Sequence, residues 1–116
     1  MIESNNPMSI NGNWSITVDT PFGKEKYSLN IDNTNDNLSG SIFHEKGTAN
    51  LINISYLDQV FKCSLNVEFP IKATINLNAN LINGNKMFGT LIIDEYLETL
   101  FVGVKQWAYI ASLLLQ

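Results

Sequence analysis

The fold is decided by two neighbouring stretches, residues 61–69, FKCSLNVEF, and residues 71–81, IKATINLNANL. In both stretches apolar side chains alternate with polar ones at a spacing of two, and Pro70 separates the runs. A period of two predicts β-strands with one buried face, because successive side chains of a strand point to opposite sides of a sheet. The same alternation extends outward in both directions, from Trp14 to Lys105.

Turn-forming residues divide this alternation into eight runs. The breaks include Thr20-Pro21-Phe22-Gly23, the polar segment 32–37, Gly47 and the hairpin signal Asn83-Gly84. Consecutive strands with short connections form a sandwich or a barrel, and closure into a barrel removes the exposed edges. We therefore predict an all-β fold, an antiparallel up-and-down eight-stranded barrel with a short C-terminal apolar helix or tail.

The chain divides accordingly into three parts. We expect a flexible N-terminus at 1–11, a β-barrel domain at 12–106 and an apolar C-terminal tail at 107–116. The tail, WAYIASLLLQ, is apolar on every side when wound into a helix, so it cannot keep one face in water. We expect it to join two copies of the chain as a homodimer, with plugging of its own barrel or binding another partner as alternatives.

Composition excludes several classes of partner. The net charge is −4 and all seven basic residues are lysines, so the chain lacks the arginines that usually grip nucleic acid. Cys63 is the only cysteine, and the N-terminus has no signal-peptide pattern, so we expect a cytoplasmic protein without a disulfide. No apolar stretch approaches the roughly 20 residues that cross a bilayer, so we expect no membrane partner.

Short motifs at the two ends of the alternating region carry a family resemblance. Gly12-Asn13-Trp14 and Lys105 resemble the pattern of the calycin barrels, which include lipocalins and avidin-like proteins. Together with Thr20-Pro21-Phe22-Gly23 and the stretch 101–105, FVGVK, they are also similar to small bacterial barrel proteins of unassigned function. The resemblance implies a barrel in which Trp14 closes one end and Lys105 lies across its ring. It implies no particular ligand.

The candidate functional residues are large side chains on the inward-facing phase of the strands. His44 continues the apolar face of Leu38 and Ile42, which places it at one end of the interior as a rim histidine or a general base. One histidine and one cysteine do not form a metal site, so we expect neither a metal nor another cofactor. The predicted ligand-binding residues are Trp14, Tyr27, His44, Tyr56, Met87 and Phe101.

These observations favour a β-barrel that binds a small apolar molecule. The room for it is expected beside the small inward-facing residues Gly40, Ala73, Ala79, Gly89 and Gly103. One alternative is a cofactor-independent isomerase or cyclase, in which His44 and a tyrosine transfer protons in the cavity. Another is a structural or interaction module with a packed barrel. The fold does not choose among them, and no catalytic residue is assigned.

Overall fold

The computed structural model describes residues 10–35, 37–68 and 72–106, and every element in these ranges is a β-strand. The strands are β1 (Gly12–Thr20), β2 (Gly23–Thr34), β3 (Asn37–His44), β4 (Gly47–Asn50), β5 (Ile52–Leu57), β6 (Val60–Val67), β7 (Ala73–Ile82), β8 (Lys86–Ile93) and β9 (Leu97–Lys105). They form one antiparallel sheet in the order β4-β3-β2-β1-β9-β8-β7-β6-β5. The predicted antiparallel up-and-down architecture is confirmed, as a nearly closed barrel.

The barrel has nine strands, not the predicted eight, because the run 48–55 bends in the middle. Its first half lies in β4, which pairs with β3, and its second half lies in β5, which pairs with β6. Between the two, Leu51 is buried and its N–H donates to the carbonyl of Gly40 at 2.9 Å. Asn53 then adopts a left-handed φ of 52°, and the register shifts between Ile52 and Ser55. Such irregularities bend a strand. The bent segment therefore pairs with β3 through β4 and with β6 through β5, which nearly closes the sheet into a barrel.

The two terminal segments predicted from the sequence lie wholly or mostly outside the described residues. The apolar helix or tail at 107–116 falls entirely outside them, and so do residues 1–9 of the predicted flexible N-terminus. Ile10 is the first residue described, and it is buried in the core. The barrel strands begin at Gly12 and end at Lys105.

The inward-facing side chains of the strands form a single hydrophobic core. The burial along β6 follows the predicted alternation, because Phe61, Cys63 and Leu65 are buried while Lys62 and Asn66 are exposed. The core comprises Ile10, Trp14, Ile16, Val18, Leu29, Ile31, Leu51, Phe61, Cys63, Leu65, Leu77, Ala79, Leu81, Met87, Leu91 and Phe101.

The two ends of the barrel differ in how deeply their inward-facing side chains are buried. We call the end where β1 begins the Trp14 end, and the end where β2 begins and β3 finishes the mouth. At the Trp14 end Ile10, Trp14 and Ile31 are buried, and Leu38 and Tyr56 are half-buried, whereas at the mouth a larger number of side chains are half-buried and pack against the core from its edge. The half-buried apolar side chains on mouth-side positions of the strands are Tyr27, Ile42, Ala49, Val67, Ile75 and Ile93.

Candidate functional site

The Trp14 end is closed by a tryptophan and a lysine from adjacent strands. Trp14 is fully buried, and its Nε1–H donates to the carbonyl of Ile10 at 2.9 Å. Lys105 pairs with it across β1 and β9, and Nζ lies 5.3 Å from the centroid of the Trp14 ring. Burial lowers the pKa of Lys105. The contact implied by the family resemblance is therefore confirmed, and it belongs to packing rather than to an accessible site.

The mid-strand glycines do not provide the room that the sequence analysis expects of them. A Cβ atom at Gly103 would lie 2.7 Å from Cδ1 of Ile16 and 2.8 Å from Cγ of Met87. A Cβ atom at Gly89 would overlap the carbonyl oxygen of Asn78. The space beside these glycines is thus already occupied, because they let neighbouring strands and side chains approach closely. Any ligand must bind elsewhere in the barrel.

Three polar side chains meet at the mouth, on inward-facing positions of β2 and β3. The hydroxyl of Tyr27 donates to Oε1 of Glu25 at 3.0 Å, and Nε2 of His44 lies 3.8 Å from the same oxygen. The rings of Tyr27 and His44 lie side by side, with centroids 4.8 Å apart and planes tilted by 37°. We call these three residues the mouth cluster. The register of β2 and β3, in which Ser28 faces Phe43, brings them together.

The hydrogen bonds of the mouth cluster determine where its protons lie. The backbone N–H of Lys46 donates to Nδ1 of His44 at 3.3 Å, so a neutral imidazole carries its proton on Nε2, which faces Glu25. Burial raises the pKa of Tyr27 to about 12, and the hydrogen bond to Glu25 and its negative charge act in the same direction. Tyr27 therefore remains a hydrogen-bond donor at neutral pH.

The mouth cluster is accessible from outside the barrel. The side chain of Glu25 is 48% exposed and that of His44 is 27% exposed. Two aromatic residues in turns at the same end, Phe22 and Tyr96, are almost entirely exposed. A molecule that approaches the mouth meets hydrogen-bonding groups and apolar surface together.

The structure brings together two of the six predicted ligand-binding residues, Tyr27 and His44. Tyr56 lies apart from them in β5, half-buried, and burial raises its pKa. The other three are buried in the core: Trp14, Met87 and Phe101. Glu25 was not among the predicted residues, although its position two residues before Tyr27 puts it on the same face of β2.

No protein-family model, curated protein or solved structure matches the chain. The chemistry of the mouth must therefore be inferred from its own residues. Among the described residues, no three histidine, cysteine, aspartate or glutamate side chains converge as metal ligands. The same part of the chain contains no helix long and apolar enough to cross a membrane.

Proposed function

We propose that the protein binds a small, largely apolar molecule at the mouth of the barrel. Glu25, Tyr27 and His44 hold the polar end of that molecule, and the half-buried side chains around them contact its apolar body. The observation that carries this proposal is the mouth cluster itself, a connected polar group at inward-facing positions that opens to solvent. Ligand sites commonly combine apolar walls with a few converging polar groups.

The packing of the barrel favours the mouth over the deep interior as the binding site. Trp14, Met87 and Phe101 are 2% exposed or less, and the glycine positions beside them are already filled. At the mouth, by contrast, Ile42 and Ile75 retain surface that a ligand can cover. Covering such surface contributes about 25 cal/mol for each Å² of apolar area removed from water.

The donors and acceptors of the mouth cluster define the polar end of the ligand. Glu25 offers a carboxylate that already accepts from Tyr27 and retains capacity for a further hydrogen bond. A hydroxyl or amine N–H on the ligand satisfies it, whereas a ligand carboxylate would be repelled. We therefore propose an apolar molecule that ends in a hydrogen-bond donor.

The same cluster supports one other function, a cofactor-independent isomerase or cyclase. A carboxylate oxygen lies 3.8 Å from Nε2 of the only histidine, and Tyr27 supplies a donor beside it, so the groups used in general acid–base catalysis are close together. Both imidazole nitrogens already face partners, the backbone N–H of Lys46 and the carboxylate of Glu25, which suits a role in anchoring better than in turnover. Chemical conversion of a bound ligand would distinguish the enzyme from the binding protein.

Two further features belong to this proposal. We propose that the barrel is calycin-like, which the contact of Lys105 with the Trp14 ring supports. We also propose that the protein acts in the cytoplasm, where its single, buried cysteine would stay reduced.

The binding proposal is tested with native mass spectrometry and a fluorescent probe. Freshly purified protein should retain a small molecule, and the neutral probe N-phenyl-1-naphthylamine should bind the native state and be displaced by that molecule. Glu25→Gln and His44→Ala should weaken probe binding by about tenfold without changing the melting temperature, since the first removes the charge of the acceptor and the second removes the imidazole, each worth roughly 1–2 kcal/mol.

The matched control is Asp58→Asn, which makes the same carboxylate-to-amide change at an exposed turn between β5 and β6, at the opposite end of the barrel. It should leave probe affinity unchanged. The proposal is contradicted by absence of binding below millimolar concentration, which favours a packed structural module. Equal effects of Glu25→Gln and Asp58→Asn would also contradict it, because binding would then not depend on the mouth cluster.

A further inference from the structure

The outer face of β8 and β9 is apolar where the neighbouring wall of the barrel is polar. Leu100 is 62% exposed, Phe88 is 44% exposed and Val102 is 37% exposed. These side chains lie in one stripe, since Phe88 pairs with Val102 and Thr90 pairs with Leu100 across the two strands. We call the stripe the outer apolar patch, and it consists of Phe88, Ile92, Leu100, Val102 and Val104.

Polar side chains border the outer apolar patch on both sides. The outward-facing residues of β7 that flank β8 are Asn76, Asn78 and Asn80, with Ile82 beside Lys86 at the end of the strand, and those of β1 that flank β9 are Ser15 and Thr17. An apolar centre within a polar rim is the usual anatomy of a protein interface. Contiguous exposed apolar surface of this kind typically marks a site of association.

Two opposite charges lie at opposite ends of the outer apolar patch. Within β8 and β9, the outward-facing charged side chains are Lys86, which pairs with Val104, and Glu98, which pairs with Ile92. Six residues separate the two rows along β8, roughly 20 Å at the rise of a strand. Lys86 and Glu98 are therefore too far apart to form an ion pair within one molecule.

We propose that a second copy of this chain docks on the outer apolar patch, related by a two-fold axis that runs across the strands. The axis passes between the row of Phe88 and Val102 and the row of Thr90 and Leu100, midway between the charges. Lys86 of each protomer then faces Glu98 of the partner subunit, so two ion pairs flank one apolar centre. A two-fold axis along the strands would instead bring the two Lys86 side chains into one row and the two Glu98 side chains into another, so that like charges would meet.

The charge pattern favours a second copy over an unrelated partner because the patch is complementary to itself. A surface with a positive end, an apolar centre and a negative end matches its own image after a half turn. The dimer uses the side of the barrel and leaves the mouth cluster open in both protomers. It is therefore independent of the ligand-binding proposal, and also of the predicted dimer through the tail at 107–116, which stays a prediction.

The test is the mass of the full chain in solution by light scattering, from low to high micromolar concentration at low salt. The wild-type protein should be a dimer, and Leu100→Glu should be a monomer because it puts a charge at the apolar centre. Lys86→Glu should raise the dimer dissociation constant by about tenfold, since it replaces attraction with repulsion at both ends. The double variant Lys86→Glu with Glu98→Lys should restore it.

The control variant Lys62→Glu makes the same charge reversal on an exposed, outward-facing position of β6 and should not change the mass. Circular dichroism verifies that each variant is folded, which is expected because every substituted side chain is exposed. A wild-type monomer at high micromolar concentration overturns the proposal, as does a dimer that survives Leu100→Glu. Failure of the double variant to restore the dimer also overturns it. Loss of the dimer on deletion of residues 109–116, with Leu100→Glu still dimeric, would assign the interface to the tail instead.

Discussion

Replacing Trp14 with alanine removes the largest side chain of the core at the closed end of the barrel. The ring is fully buried, donates a hydrogen bond to Ile10 and contacts the ammonium group of Lys105. The contact with Lys105 depends on the pairing of β1 with β9, which places Lys105 opposite Trp14. The substitution therefore tests whether this pairing and its packing stabilise the barrel.

The expected loss is about 3 to 5 kcal/mol in the free energy of unfolding, the usual cost of truncating a buried tryptophan. Burial of about 200 Å² of ring surface at about 25 cal/mol/Å² gives a similar value, close to 5 kcal/mol. The lost hydrogen bond leaves a carbonyl of Ile10 without its partner, which places the result in the upper half of the range. The total free energy of unfolding of a domain is usually about 5 to 15 kcal/mol, so the variant retains little stability.

The loss is measured by urea unfolding followed by far-ultraviolet circular dichroism, because the substitution changes the fluorescence signal itself. Phe22→Ala is the matched control, since Phe22 is 98% exposed and its removal should cost almost nothing. A double-mutant cycle with Lys105→Ala should give a coupling of about 1 kcal/mol for the ring and the ammonium group. A loss below about 1 kcal/mol for Trp14→Ala would refute the reasoning, because no fully packed tryptophan is removed so cheaply.

Three further predictions follow from the described contacts. Alkaline titration of tyrosinate absorbance should place the pKa of Tyr27 near 12, and Glu25→Gln should lower it without reaching the ordinary value of 10, because burial remains. A pKa already ordinary in the wild type would contradict the cluster geometry. Burial also raises the pKa of Cys63 to about 12. The native protein should therefore react slowly with a disulfide reagent at mildly alkaline pH, and the protein unfolded in urea should react quickly. A fast reaction of the native protein would contradict the burial of Cys63. Gly89→Ala should destabilise the barrel by about 1–3 kcal/mol or more, and Gly103→Ala should cost less. The added Cβ at position 89 meets backbone atoms, whereas the added Cβ at position 103 meets side-chain atoms. The reverse order in urea unfolding would contradict this prediction.

The strands and hairpins were predictable because their signals are local. Alternation along 61–69 and 71–81 fixes which face of β6 and β7 is buried, and Asn83-Gly84 marks the hairpin between β7 and β8, where both residues adopt positive φ. The bend at Leu51 was not predicted, although the apolar phase shifts there, from Ala49 and Leu51 to Ile54 and Tyr56. The sequence around the bend does not show that its two halves pair with different strands, β3 and β6.

The candidate site was predictable only in part, for a similar reason. The inward phase of Tyr27 and His44 follows from strand alternation, but their ring contact depends on the register between β2 and β3. Glu25 carries the charge of the cluster, yet a glutamate beside a turn looks like an ordinary exposed residue in the sequence. The prediction of room beside the glycines was wrong for a different reason. Alternation places Gly103 correctly on the inner face, but only the packing shows that Ile16 and Met87 fill the space beside it.

The central claim, that a ligand binds against the mouth cluster, is tested most directly by nuclear magnetic resonance of His44. The chain has a single histidine, so its imidazole Hε1 proton gives one unambiguous signal. On titration with N-phenyl-1-naphthylamine, this signal should shift and saturate with the dissociation constant seen by fluorescence, while the methyl signal of the buried Met87 stays in place. Binding by fluorescence without a shift of the His44 signal would contradict the account.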